Sequence, residues 1–170
     1  MTDDFESTEV LEFAQSLLRG GQIGGSLVMD AGRVRKPIAI RSSEGKLHSW
    51  FVPVAVENHL AGFLQVLPDL TLMRYAAFQR REDSMEGCPP AESWTDAATI
   101  RRLAQERARP GEAAGTPVLS YDQVPSRLAW AVPMASPGNA PRTLLVAGQQ
   151  VWEASARDGG IGSYGGSPAR

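Results

Sequence analysis

The run Trp50-Phe51-Val52-Pro53-Val54-Ala55 occurs a second time as Trp130-Ala131-Val132-Pro133-Met134-Ala135, with Trp, Val, Pro and Ala kept in place. Extending both copies without a gap sets Leu64 opposite Leu144 and Val66 opposite Val146. A pattern that returns at a fixed offset reports one supersecondary unit used twice. The chain is therefore expected to fold as two versions of the same unit, and each surrounding segment is read for what it adds to that unit.

In chain order, the first element is a short helix. Ser7 or Thr8 is placed to cap it, Glu9 and Glu12 suit its positive end, and Gly20 permits a left-handed stop. Val10, Leu11, Ala14, Leu17 and Leu18 make one apolar stripe at helical spacing, facing a core rather than a membrane, since the polar side carries acids and a single Arg19. The glycine-rich stretch at 20–25 follows a helix instead of opening one, which is the wrong order for a phosphate cradle. Strands are expected at 37–42, 47–56, 63–67 and 70–78, joined by turns at 43–46 and 57–62. Short turns between successive strands make an antiparallel meander.

Residues 81–92 are polar, then proline-paired, and read as a linker. Ser93-Trp94-Thr95-Asp96 resembles a capping box with Asp in place of Glu. Ala97, Ile100, Leu103, Ala104 and Ala108 then form a second helical stripe that ends before Pro110-Gly111. Strands follow at 116–121 and 128–134, with a closing pair within 142–153. The expected fold class is α+β, two repeats of a helix packed on an antiparallel β-sheet meander. The divisions are 1–80 for the first repeat, 81–92 for the linker, 93–157 for the second repeat and 158–170 for a flexible tail. Pro53 and Pro133 cannot donate to a central ladder, so each is expected on an edge or at a bulge, with a shared bulge preferred.

The helix, the strand Pro117-Val118-Leu119-Ser120-Tyr121, the Trp-bearing strand and the last run Leu145-Val146-Ala147-Gly148-Gln149-Gln150-Val151-Trp152-Glu153 resemble the PepSY domain. In that family the penultimate strand carries an apolar-Trp-x-Val run, and the last ends in an Asp-x-x-Thr-Gly-x-Val-type turn. Here Ala147-Gly148-Gln149-Gln150-Val151 stands in the turn without its Asp and Thr. The first copy looks like the same unit with longer strands. The resemblance implies a cystatin-like helix-on-sheet arrangement and a propeptide-like inhibitor, chaperone or accessory binding module, a class usually found outside the cytoplasm.

Composition narrows the function. A formal charge of −2 and a pI near 5.7 lack the basic excess of a general nucleic-acid binder, and the arginines clustered at 80–109 read as a solvated face. No apolar run approaches the roughly 20 residues of a membrane helix. The acidic start Met1-Thr2-Asp3-Asp4 lacks the pattern of a secretory signal, and the lone Cys88 cannot form an internal disulfide, so a cytoplasmic location is expected.

No residue set calls for catalysis, a cofactor or a metal. His48 and His59 have no Cys or carboxylate at ligand spacing and read as surface histidines. Cys88 sits in the linker with only the following helix start to lower its pKa. Glu82, Asp83 and Glu86 lack the loop grammar of a calcium site. Gly160-Ile161-Gly162-Ser163-Tyr164-Gly165 matches a dinucleotide fingerprint in letters but has no strand and helix around it.

The remaining candidates suit polypeptide binding. Trp50 and Trp130 stand at matching positions, either plugging the helix–sheet core or lining a groove. Residues 70–78 read as an open sheet edge, with Met73 and Tyr75 on one face, to which an extended peptide can add. The expected function is a non-catalytic polypeptide-binding module: an inhibitor, chaperone or accessory subunit of a peptide-processing system. Alternatives are a subunit that oligomerises through a sheet edge, and an enzyme component of peptide maturation whose site forms only in a complex.

Overall fold

Val10, Ala14 and Leu17 fall on one side of an 18-residue helix, α1 (Thr2–Arg19), and pack against Trp50, Val52, Val54, Leu64 and Val66. The computed structural model describes residues 2–23 and 27–155. Within them lie two antiparallel sheets with a few helices, an α+β architecture. The helix begins five residues before Ser7, which is buried within it rather than capping it, and the left-handed residue at its end is Gly21 rather than Gly20.

After the short α2 (Leu27–Asp30) come β1 (Arg33–Val34), β2 (Ile38–Arg41), β3 (Leu47–Val56), β4 (His59–Val66) and β5 (Leu72–Ala77). The second half holds α3 (Glu92–Thr95), α4 (Ala97–Gln105), β6 (Ala113–Ala114), β7 (Val118–Tyr121), β8 (Leu128–Ala135), β9 (Arg142–Ala147) and β10 (Gln150–Glu153). The first sheet runs β1-β3-β4-β5 with β2 also on β3, and the second runs β6-β8-β9-β10 with β7 also on β8.

The duplication holds to the residue. Arg33 pairs with Ala55 as Ala113 does with Ala135, Ala39 with Trp50 as Leu119 does with Trp130, and Val52 with Leu64 as Val132 does with Leu144. Every member of these pairs has advanced by 80 positions. The match slips by one residue at the turn before β3 and β8, where Arg41 pairs with Leu47 but Tyr121 with Leu128, and again after β4. The turn at 67–71, with Leu70 at φ 63°, is replaced by the tighter turn at Gly148, φ 60°. Leu64 therefore faces Tyr75 while Leu144 faces Glu153.

Pro53 and Pro133 are on neither an edge nor a shared bulge. Both lie in strands with neighbours on two sides, and the register shift recorded in β3 falls between Val54 and Ala55. The carbonyl of Pro53 accepts from the Arg35 amide at 2.8 Å, and that of Pro133 from the Gly115 amide at 2.8 Å. Within a strand residue, nitrogen and carbonyl point to the same side. Each proline nitrogen thus faces the break between β1 and β2, or between β6 and β7, where no ladder partner is required of it.

Three other boundaries differ from the sequence pattern. Asp96, not Ser93, caps the long second-half helix: its carboxylate accepts from the Thr99 amide at 2.9 Å and the Thr99 hydroxyl at 2.6 Å. Those bonds hold its pKa below the ordinary carboxylate value. The turn before β4 is only Glu57-Asn58, with Glu57 at φ 53°, so Leu60 and Ala61 are strand residues buried in the core. Gly62, expected in that turn, lies inside β4, where an added Cβ would come 2.4 Å from the Ala76 carbonyl oxygen and 2.7 Å from the Met29 sulfur.

The two halves share a core. Ile40, Phe51 and Phe63, on the side of the first sheet turned away from α1, belong to one apolar cluster with Leu119, Trp130 and Val132 and with Ile100 and Leu103 of α4. The Ser120 hydroxyl donates to the Arg41 carbonyl at 2.7 Å, tying β7 to β2. The residues assigned to a tail, 158–170, lie outside the described residues, as do the glycines of the fingerprint look-alike.

Candidate functional site

Strand alternation gives each sheet an inner face toward its helix and an outer face. In the first sheet the outer face is covered over Phe51 and Phe63, while Ile38 and Pro53 border a groove of about 740 Å³ together with Ala91 and Thr95. Trp94, from α3, stacks on Phe51 at 6.0 Å between ring centroids, with 20° between planes, and Phe78 lies 5.7 Å from Trp94 and 5.8 Å from Phe63. The linker also pairs with the sheet through its backbone, Leu60 donating to the Pro89 carbonyl and Ala91 to the Asn58 carbonyl. Pro53 is buried there.

The outer face of the second sheet is different at the same positions. Phe51 becomes Ala131, Phe63 becomes Thr143 and Ile38 becomes Val118. Pro133 is exposed where Pro53 is buried, and Val118 is 40% exposed. Ala131, Pro133 and Leu145 floor a groove of about 470 Å³, with Val118 and Tyr121 along one side. Ser42, Ser43 and Gly45 of the first half supply a rim, and Ala154 and Ser155 stand at the exit of β10. An apolar floor with hydroxyl-bearing walls suits a side chain that buries carbon while its backbone bonds to the rim.

The candidates read from sequence distribute as follows. Trp50 and Trp130 are 3% and 6% exposed and face the helix-side cores, so neither lines the groove. Their alternation with Val52 and Val132 sets that direction. The Trp130 Nε1–H donates to the Trp94 carbonyl at 3.1 Å, whereas the Trp50 Nε1 is buried with no hydrogen-bond partner. Met73 and Tyr75, 40% and 49% exposed, sit on β5, which ends the first sheet. Neither lines the groove, which is built on β7, β8 and β9 of the other sheet.

A polar chain that the sequence did not single out crosses the first sheet's outer face. The Gln65 amide nitrogen donates to the Ser49 hydroxyl at 2.9 Å, Arg74 Nε donates to the Gln65 oxygen at 2.8 Å, and Arg74 Nη2 donates to the Ser126 carbonyl at 3.0 Å. Gln65 and Ser49 are fully buried, and burial lowers the Arg74 pKa. His48 Nδ1 lies 2.8 Å from the Ser49 hydroxyl. This is not a nucleophile–base pair: the hydroxyl is closed off from solvent and already accepts from Gln65.

Burial pushes the Cys88 thiol up, away from a reactive thiolate. Among the described residues no three His, Cys, Asp or Glu side chains could hold a metal ion, and no helix is long and apolar enough to cross a membrane. The strongest ionic constellation is structural. Arg142 donates to both oxygens of Glu112, at 2.8 and 2.6 Å, and to Glu153 at 3.2 Å, clamping the loop after α4 to β9 and β10. The chain matches no family model, no curated protein and no solved structure.

Proposed function

We propose that the protein is a non-catalytic polypeptide-binding module whose partner lies across the outer face of the second sheet. One contrast carries the reading. Equivalent faces of two copies of one unit differ in cover, Phe51 and Phe63 being buried in a shared core while Ala131 and Thr143 are half-buried and Pro133 and Val118 exposed. In the first unit the second unit's core covers Phe51 and Phe63, and the stretch from Pro89 to Trp94 adds to that cover through stacked rings and backbone hydrogen bonds. A face of that design takes an extended chain, with apolar side chains entering the groove and the backbone meeting polar rims. The likeness of the second half to a PepSY domain points the same way.

The test is a titration of the isotopically labelled protein with an unfolded polypeptide probe, casein, followed by amide chemical shifts. Shifts at Val118, Ala131, Thr143 and Leu145 support the groove. Unmoved groove amides at saturating probe overturn it.

A second reading is self-association through β5, favoured by the exposed Met73 and Tyr75 on that edge strand. Light scattering on the wild type and on a Tyr75→Lys variant decides it. A dimer that the variant dissolves supports edge pairing, and a monomer at all concentrations refutes it.

A further inference from the structure

The two sheets also indicate which side chain the groove receives. Where the first sheet presents the rings of Phe51 and Phe63, 4.9 Å apart, the second presents the methyl of Ala131 and the short side chain of Thr143. Trp94 of α3 and Phe78 complete the first cluster together with Ile100, Leu119 and Trp130, whereas Ala131 and Thr143 line an open groove. The second face therefore has two rings fewer in its floor, and a groove of about 470 Å³ lies over it. Pro133 and Leu145 remain as flat apolar floor, Tyr121 as an aromatic wall, and Ser120 is turned to the Arg41 carbonyl. Packing of rings against rings and proline favours an aromatic over an aliphatic side chain of equal area.

Resting on the groove assignment above, we propose that the bound segment is an extended peptide of a separate chain carrying an aromatic residue, indole or phenyl, whose ring fills the space over Ala131 and Thr143. Part of the first face's cover is such a segment: beside the second unit's core, Trp94 supplies a ring over Phe51, and the preceding Pro89-Pro90-Ala91 run meets the strand start at Asn58 and Leu60 through backbone hydrogen bonds. A separate chain would bring both parts at once. The occupant is thus defined by shape and ring chemistry rather than by charge, because the floor holds no ionisable group and Asp122 at the rim is already engaged with Arg127 at 3.7 Å.

The experiment is calorimetric titration of the full chain with the peptide acetyl-Pro-Pro-Ala-Glu-Ser-Trp-Thr-amide, the sequence of residues 89–95, and with its Trp→Ala counterpart. The Trp peptide should bind about tenfold or more tightly than the Ala peptide. The double variant Ala131→Phe with Thr143→Phe, which rebuilds the first sheet's floor, should abolish that preference. Val118→Arg, at an exposed position that asks nothing of the core, gives the same readout should the double variant fail to fold. Equal binding of the two peptides, still sensitive to Val118→Arg, overturns the aromatic requirement and leaves the groove standing. Absence of binding by both peptides overturns the aromatic inference, and unmoved groove amides with casein would overturn the groove itself. Binding that appears only after the chain is shortened to residue 155 assigns the groove to the protein's own C-terminal segment and overturns a separate partner.

Discussion

Trp130 donates its indole N–H to the carbonyl of Trp94 at 3.1 Å, joining the core strand of the second sheet to the segment that covers the first. The equivalent indole of Trp50 has no such acceptor. The two tryptophans therefore share register but differ in hydrogen bonding. Trp130→Phe strands a carbonyl, while Trp50→Phe removes a buried donor that was already unpaired. The first should cost about 1 to 2 kcal/mol more than the second. Urea unfolding of both variants checks this, and equal losses would contradict it.

The helix stripes bear directly on stability. Leu17 and Leu103 are 9% and 7% exposed and belong to different apolar clusters. Replacing either by Ala should cost on the order of 2 to 5 kcal/mol. An unfolding free energy lowered by less than about half a kcal/mol in either variant, read from denaturant titration, would show that helix to be loosely docked.

Gly62 is required by its neighbours. A methyl group there meets the Ala76 carbonyl oxygen at 2.4 Å, and backbone in a paired strand cannot step aside. Gly62→Ala should destabilise by about 1 to 3 kcal/mol, read as a lowered melting temperature. At the matching position the second unit places Arg142, whose partner Glu112 stands where the first unit has Gly32. One copy thus solves a site with Met29 packed on glycine and the other with an ion pair.

That ion pair gives a pH dependence of known sign. The hydrogen bonds from Arg142, followed by the one from the Arg109 amide, hold the Glu112 carboxyl down from 4.5 to about 2. The same contacts raise the Arg142 pKa. A carboxyl whose folded value is depressed adds stability above its unfolded value and loses it as pH falls through the folded value. The stability gap between wild type and Glu112→Gln should be constant above about pH 5.5, shrink below about pH 4.5 and close near pH 2. Chemical unfolding across that range measures it, and a gap that grows on acidification would contradict the assignment.

Much of the architecture was legible in the sequence because a strand face repeats every second residue, and the Trp-x-Val-Pro-x-Ala run fixes that phase twice. The apolar stripes of α1 and α4 were legible for the corresponding reason. Strands β1 and β6 were not, since two-residue strands such as Ala113–Ala114 exist only by pairing with Ala135 and Met134. The tryptophans could be placed on a face, but which face meets a helix is a tertiary fact. The groove was hidden for the same reason: Ala131 and Thr143 are unremarkable residues until the register sets them against Phe51 and Phe63, and until Trp94, Phe78 and the second unit's core are seen to cover the first pair.

The measurement that bears most directly on an open second face is thiol labelling of Val118→Cys in a Cys88→Ser background, with and without the Trp-bearing peptide. Val118 sits on the groove wall and is 40% exposed. Its replacement thiol should label at close to the rate of a free thiol in the protein alone, and about tenfold or more slowly when the peptide is saturating. A thiol that is slow to label in the protein alone, or whose rate the peptide leaves unchanged, would contradict the proposal that this face is open and holds another chain.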